Sequence, residues 1–369
     1  MNVLLRIGEF TLTGYGLCLL GGAAAGILLS WLRKKDILPA LLPVLLGAVL
    51  MGHVCWVLFC PKVFADEKMT IFLQFWKGGY TMYGALIGGT LGALLGARMI
   101  SSRPAEVLDA VAPGACAVIF MGRIGDYLSG QGFGNKLEGM ELKGLRFFPV
   151  SYVTYADEYA HIEEWSYAVW AWEALAALIL LLVLLVRFRK APAGRTFAAF
   201  VIGLGSSQIV LEQARRDSFV NLNPFVRFTQ IAAAMTLLAL LVYLALKYRP
   251  GKAKTALTFA AFGAAVAALV FAEFVFDKFF MAWMLYLSQA AAGVLMYFLL
   301  KAARGEGGKQ AGALYCGFCF LLVLLHFLTG RGNGNLLLFG MMIVSSAGLA
   351  MIASVNLPKE TGEVSPSAN

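Results

Sequence analysis

The chain has 369 residues, of which 60% are hydrophobic and only 14% charged, where a soluble domain usually carries about a quarter charged residues. That composition excludes disordered, collagenous and disulfide-scaffold proteins and argues against an ordinary soluble enzyme. The sequence reads as an all-α polytopic membrane protein, and its net charge of +9 reads as membrane topology, with no call for nucleic acid as a partner.

A helix crossing the hydrocarbon core needs about 20 mostly apolar residues. About eleven transmembrane helices are expected, near 10–32, 37–60, 79–100, 107–128, 166–186, 195–213, 226–246, 256–276, 279–300, 312–329 and 335–355. No small-residue cleavage site follows the first, so it is expected to be retained rather than removed as a signal. With residues 1–10 outside, the segments placed inside hold 17 of the 30 Lys and Arg residues in much less chain. The expected topology is therefore N-terminus outside and C-terminus cytoplasmic. Residues 129–165 form the longest polar stretch, expected as one outer-face head loop with a functional role. The linker Tyr248–Thr255 divides a membrane domain over 1–250 from four additional spans over 251–355 and a tail over 356–369. No internal repeat is visible, which weakens a transporter reading.

In chain order, His53 lies inside span two and reads more readily as a hydrogen-bonded core residue than as a base. Lys77-Gly78-Gly79 opens span three as a basic, flexible stretch at headgroup depth. Glycines 84, 88, 92 and 96 follow at a four-residue spacing that makes a small-residue packing face. Near the outer end of span four, Arg123 has Asp126 three residues later on the same helical face. Ionisable groups inside spans are costly and are functional candidates by default. Arg123–Asp126 is either a pair fixing a helix end or a cationic site for a lipid phosphate, which a guanidinium fork suits. Glycines 122, 125, 130, 132 and 134 favour the second, by letting backbone and ligand approach closely and helix ends point N–H groups at an anion.

Glu173 on span five, beside Tyr167, Trp170 and Trp172, is a further intramembrane acid. Glu212 ends span six with Arg215 three and Arg216 four residues on, either a salt-bridge cap or a carboxylate orienting Arg123 or a substrate. His161 falls in the head loop and His326 in the rear spans. The six cysteines all lie in apolar runs, and buried thiols are expected. Cys316-Gly-Phe-Cys319 has redox-motif spacing without a thioredoxin-like context. No Walker loop, zinc signature or Rossmann fingerprint occurs, so no metal or cofactor is expected.

Residues 1–250 resemble the bacterial phosphatidylglycerol–prolipoprotein diacylglyceryl transferases. Ile7-Gly8 and Gly14-Tyr15-Gly16-Leu17 resemble that family's opening. Gly78-Gly79-Tyr-Thr-Met-Tyr83-Gly84-Ala-Leu-Ile-Gly88 is similar to its Gly-Gly-x-x-x-His-Gly-Gly-x-Ile/Leu-Gly stretch. Gly122-Arg123-Ile-Gly-Asp126-Tyr-Leu-Ser129-Gly-Gln131-Gly-Phe-Gly134 resembles its Gly-Arg-x-Gly-Asn-Phe-x-Asn-Gly-Glu-x-x-Gly signature. Tyr167 to Glu173 stands where the family has His-Pro-Ser/Thr-Gln-Leu-Tyr-Glu, and Gln208 to Arg215 where it has Arg-x-x-x-Glu-x-x-Arg. The departures are chemical: Tyr83 replaces the span-three His, Asp126 and Ser129 replace Asn, Gln131 replaces the signature acid, Gln208 replaces an Arg, and Tyr167 replaces a His.

The resemblance implies transfer of the diacylglyceryl unit of phosphatidylglycerol to the lipobox cysteine of a prolipoprotein, in a bacterial plasma membrane, without a cofactor. It assigns Arg123, Tyr83 and Glu212 to catalysis, and Arg123, Tyr15, Asp126, Gly134, Gln208, Arg215 and Glu173 to substrate binding. The alternative is a divergent paralogue using the same lipid-phosphate site on another acceptor, or a non-catalytic lipid-binding protein or transporter. These readings differ in geometry. A lipid site gathers Tyr15, Gly134 and Glu212 near an Arg123 that faces an open pocket, whereas a helix-end pair is closed on Asp126.

Overall fold

The computed structural model describes residues 3–7, 10–59, 68–75, 79–137, 146–155, 163–216, 227–278, 282–329, 334–355 and 357. Gly8, Cys60, Lys77, Gly78, His161 and nearly all of the tail lie outside them. The chain forms two compact units, Met1–Met235 and Thr236–Asn369. Among the described residues, eight helices are long and apolar enough to cross a membrane.

The first unit opens with an antiparallel hairpin, β1 (Val3–Ile7) and β2 (Phe10–Thr13), ahead of helix α1 (Gly14–Arg33). The helix therefore starts later than hydropathy implies. Thr13 stops the strand and caps the helix, its hydroxyl accepting from Gly16 N at 3.2 Å, which puts Tyr15 in the first turn.

Helices α2 (Leu38–Phe59) and α3 (Met82–Met99) pack along the glycine stripe. A Cβ at Gly88 would stand 1.9 Å from Gly47 O, one at Gly92 2.1 Å from Pro43 O, and one at Gly96 2.6 Å from Ala40 O. Only hydrogen fits at these contacts, so the expected small-residue face is backbone on backbone. Helix α4 (Pro104–Leu128) meets α1 in the same manner, with a Cβ at Gly114 falling 2.7 Å from Gly26 O.

Helices α5 (Val169–Arg187) and α6 (Arg195–Ala214) follow a second antiparallel pair, β3 (Ser151–Tyr155) and β4 (Glu163–Tyr167). The turn between α5 and α6 is held by two charges that the sequence reading passed over. Arg33 donates to Phe188 O at 2.7 Å and to Leu184 O at 3.3 Å, at the carbonyl end of α5. Asp109 accepts from Gly194 N at 2.6 Å and Phe197 N at 2.7 Å, at the amide end of α6. Each charge complements the helix terminus it meets. Helix α7 (Phe228–Tyr248) begins in this unit and runs past its boundary at Met235.

The second unit contains α8 (Lys252–Lys278), α9 (Ala282–Thr329) and α10 (Gly334–Val355). Helix α9 is two helices broken at Gly305, which has φ 58° and ψ −133°, a conformation that favours glycine. Its halves fold back on each other, with Gly312 against Tyr297 and Gly293 against Cys316 and Cys319. Among the described cysteines, Cys18, Cys116 and Cys319 are buried thiols, while Cys55 and Cys316 are half-buried and also free.

The stripe yields a paired test. Gly88→Ala is expected to destabilise the protein by about 1–3 kcal/mol through overpacking. Gly89→Ala, whose new methyl would meet Ala48 Cβ at an ordinary 3.7 Å, should leave the thermal unfolding midpoint in detergent near wild type.

Candidate functional site

Four stretches converge at one end of the first unit: the ends of α4 and α6 and the starts of α1 and α5. A short backbone lattice joins three of them. Helix α4 ends at Leu128, and the chain turns through Gly130 (φ 68°) and Gly132 (φ 77°), where positive φ suits glycine. The run after it lies between β4 and the exit of α6. Gly134 N donates to Tyr167 O at 3.0 Å and Leu137 N to Trp165 O at 2.7 Å on one side. Asn135 N donates to Ala214 O at 2.8 Å and Arg216 N to Phe133 O at 2.9 Å on the other. Gly134 faces Arg215 across this lattice, and a Cβ there would meet Tyr167 Cβ at 2.5 Å.

The charges sit on this frame. Arg123 Nη1 donates to Asp126 Oδ2 at 2.6 Å, and its Nε lies 3.1 Å from Glu173 Oε2. Arg215 Nη1 reaches that same Glu173 oxygen at 3.1 Å. The Glu173 side chain is 0% exposed and those of Arg123 and Arg215 only 14% and 13%. An ionised carboxylate so far from water is tolerated because two guanidiniums share it. The remaining Arg123 nitrogen donates to the thioether of Met82 at 3.6 Å, a weak acceptor.

Other expected residues fall around this core. Tyr15 packs on Gly125, whose missing Cβ leaves its ring carbon room at 2.9 Å, and it lies within the fields of Asp126, Arg123 and Arg215. Tyr83 is buried in the fields of Glu212, Glu173 and Arg123, and its hydroxyl has no hydrogen-bond partner among the described residues. Glu212 is buried, and Gln208 is buried one turn earlier on the same face of α6. Aromatic rings border the site, with Tyr127 stacked on Trp170 at 4.5 Å between centroids.

Several expectations change. The carboxylate orienting Arg123 is Glu173 rather than Glu212. Arg215 is the C-cap of α6, with φ −73° and ψ 139° and its N–H donating to Glu212 O at 3.1 Å, and its side chain reaches across to Glu173. Tyr167 belongs to β4 and not to the span, because its backbone pairs with Ser151 and Asn135. Backbone N–H groups of Gly130, Gln131 and Gly134 are already spent on carbonyls of Tyr127, Asp126 and Tyr167, so they are not aimed at an anion. The Arg123–Asp126 pair is closed, yet Arg123 also joins the wider network. Met82 and Arg227, whose Nη1 donates to Glu212 O, were not singled out from sequence. Their signals, a methionine beside Tyr83 and a cation at the start of a span, are too common to select.

Among the described residues, no group of three or more His, Cys, Asp or Glu is placed to hold a metal ion. The arrangement is instead a buried cluster of paired guanidiniums and carboxylates beside a phenol without a hydrogen-bond partner among the described residues.

The sequence profile of the prolipoprotein diacylglyceryl transferases matches residues 2–246. The chain is 28% identical to the phosphatidylglycerol–prolipoprotein diacylglyceryl transferase of Paenarthrobacter aurescens, over 68% of this chain and 83% of that protein. It is 31% identical to the enzyme of that name from Parasynechococcus marenigrum, over 58% of this chain and 80% of the relative. The corresponding protein of Halalkalibacterium halodurans is 23% identical, over 65% and 84%.

Removing the shared carboxylate leaves two buried guanidiniums facing each other. Glu173→Ala is expected to cost about 3–5 kcal/mol of stability, read as a lowered unfolding midpoint in detergent. The exposed pair Lys309–Glu306 at 3.5 Å should give less than about 1 kcal/mol when broken in the same way.

Proposed function

The chain belongs to the prolipoprotein diacylglyceryl transferase family, and on that premise we propose that it moves the diacylglyceryl group of phosphatidylglycerol onto the lipobox cysteine thiol of prolipoproteins, releasing glycerol phosphate. The observation that carries this reading is the buried Arg123–Glu173–Arg215 network beside the unpaired Tyr83 hydroxyl. It supplies positive charge where a phosphate must be received and then released.

In the reaction the cysteine sulfur attacks the glyceryl carbon. The S–C bond forms as the C–O bond to phosphate breaks, and the electron pair stays on the phosphate oxygen. Negative charge grows on that oxygen, so the useful groups are donors aimed at it. Arg123 is the assigned donor, its fork held by Asp126 and Glu173. Tyr83 donates to a second phosphate oxygen. Tyr15, Asp126, Gly134, Gln208, Arg215 and Glu173 shape and orient the lipid site, and Glu212 sets the field at Tyr83. A free thiol, with a pKa of about 8.5, is a few per cent ionised at neutral pH and is drawn further toward thiolate by a nearby cation. A dedicated base is helpful rather than obligatory, which accommodates tyrosine in place of histidine at position 83.

The proposed setting is a bacterial plasma membrane, with N-terminus outside, C-terminus cytoplasmic and the 129–165 loop on the outer face. Eleven spans follow when α3, both halves of α9 and α10 are counted with the other helices. Residues 251–355 then form a separate four-span module.

One observation favours a second reading. The Arg123 fork is occupied by Asp126 and Glu173, so a lipid phosphate has to compete for it. A paralogue acting on a different headgroup or acceptor through the same site fits that balance, and lipidomics of deletion and overexpression strains separates the two by which lipid or lipoprotein species changes.

Mass spectrometry tests the main reading directly. A lipobox peptide incubated with phosphatidylglycerol vesicles and the purified protein should gain one diacylglyceryl unit; no gain, with a typical relative active in parallel, overturns it. Arg123→Lys keeps the charge but loses the fork and should slow transfer by about 100-fold. Tyr83→Phe is the sharper probe. A hydrogen bond to a charged group is worth about 1.5–3 kcal/mol, so transfer should fall about 10- to 100-fold. The unfolding midpoint should hold or rise, because no protein partner is left unpaired.

A further inference from the structure

Helix α2 carries a histidine whose contacts the chemistry above does not use. His53 is fully buried, and both ring nitrogens lie against backbone carbonyls: Nδ1 is 3.1 Å from Gly79 O and Nε2 is 2.8 Å from Ile71 O. The two carbonyls belong to the connection between α2 and α3. Ile71 lies in a 3₁₀ helix, Lys68–Leu73, and Gly79 lies three residues before α3. Rings of Phe75, Tyr80 and Trp56 surround the imidazole at 5.0, 5.7 and 5.8 Å between centroids.

The Gly79 end of this clamp leads straight into the candidate site. Gly79 has φ 80° and lies so close to the Trp56 indole that a Cβ would stand 2.3 Å from it. Two residues on, Thr81 N donates to Gly52 O at 3.0 Å, and the Thr81 hydroxyl caps α3 by accepting from Gly84 N at 3.2 Å. Met82, which receives the third Arg123 nitrogen, and Tyr83, in the fields of Glu173 and Glu212, come next. The backbone that rests on α2 at Gly79 is thus continuous with the residues that carry Met82 and Tyr83.

We propose that His53 is a positioning residue for the transfer site, holding the Gly79–Tyr83 segment so that Met82 and Tyr83 stand in register with Arg123. It acts through backbone and never touches substrate. The inference rests on the transferase reading for its activity readout, and on the backbone geometry alone for its structural one.

The two carbonyls allow the ring to be dissected. A neutral imidazole donates through one nitrogen only, and on this proposal that proton is on Nδ1, toward Gly79 O. In His53→Asn the amide nitrogen replaces Nδ1 and donates to Gly79 O; in His53→Gln it replaces Nε2 and donates to Ile71 O; His53→Ala does neither. Transfer from phosphatidylglycerol to a lipobox peptide is measured with the full-length protein, together with the unfolding midpoint and hydrogen exchange at residues 79–84. His53→Asn should retain kcat/KM within about threefold. His53→Gln and His53→Ala should lose about 100-fold, mostly in kcat, the size of a small misplacement of reacting groups. Exchange at 79–84 should rise only in the Gln and Ala variants. Equal behaviour of Asn and Gln, whether both active or both inactive, overturns the proposal, since a merely structural histidine does not distinguish the carbonyls. If the wild type transfers nothing, the transferase reading fails. The exchange difference then decides alone: a split between Asn and Gln supports the clamp, and no split overturns it.

Discussion

One carboxylate, that of Glu173, organises the end of the first unit. It is withdrawn from water and shared by guanidiniums from α4 and from the residue that leaves α6. An isolated ion there would be prohibitive, and either arginine alone would be costly, so the ends of α4 and α6 and the start of α5 are compelled to meet. The backbone lattice through Gly134 and Asn135 fixes the spacing that this charge sharing requires. Removing the lattice would leave the ions with freedom that a low-dielectric site penalises. Removing the ions would leave the lattice joining ends with no reason to meet.

The other end of the same helices is tied by the same logic with simpler parts. Arg33 closes the carbonyl terminus of α5 and Asp109 closes the amide terminus of α6. The α5–α6 hairpin is thus pinned to α4 twice, by Asp109 near the start of α4 and by Arg123 near its end. Glycine contacts between α1 and α4 and between α2 and α3 add a register that cannot slide, because each missing side chain fits one facing carbonyl. Rigidity of this kind is what a site needs if its donors are to meet a developing charge without rearranging.

Much of this was legible in the sequence. Hydropathy located the helices, and four-residue glycine spacing named the α2–α3 contact, because both are local patterns. The ionisable residues of the site were also visible, since charge within apolar runs stands out. Their pairing was not. Arg215 is three residues from Glu212, which in a continuing helix makes them neighbours, but the helix ends at Arg215 and the side chain turns to a residue 42 positions away in sequence. Tyr167 was read as helical from its apolar neighbours, although a strand pairing that no local pattern reveals claims its backbone. Asp109 and Arg33 were missed for a related reason: their partners are backbone groups, and backbone carries no sequence signal. His53 was read as a core residue, and its contacts agree; which carbonyls it would meet is a tertiary fact.

The departures at positions 126 and 208 form a single electrostatic change. Arg123 and Arg215 face Asp126 and Glu173, so these four groups are balanced without any ligand. With a neutral residue at 126 and a cation at 208, the same cluster would carry more positive charge, which an entering anion would relieve. Here the relief is built in. On the proposed assignment of Arg123 to the lipid phosphate, an arriving phosphate has to displace Asp126 from the Arg123 fork rather than fill an empty one. That exchange weakens ground-state binding. It need not weaken the transition state equally, because the charge on the departing phosphate oxygen is greatest as the C–O bond breaks, when it competes best for the guanidinium. Under that proposal, a site balanced in this way gives up affinity for the lipid at rest and keeps its donors for the step in which the phosphate leaves.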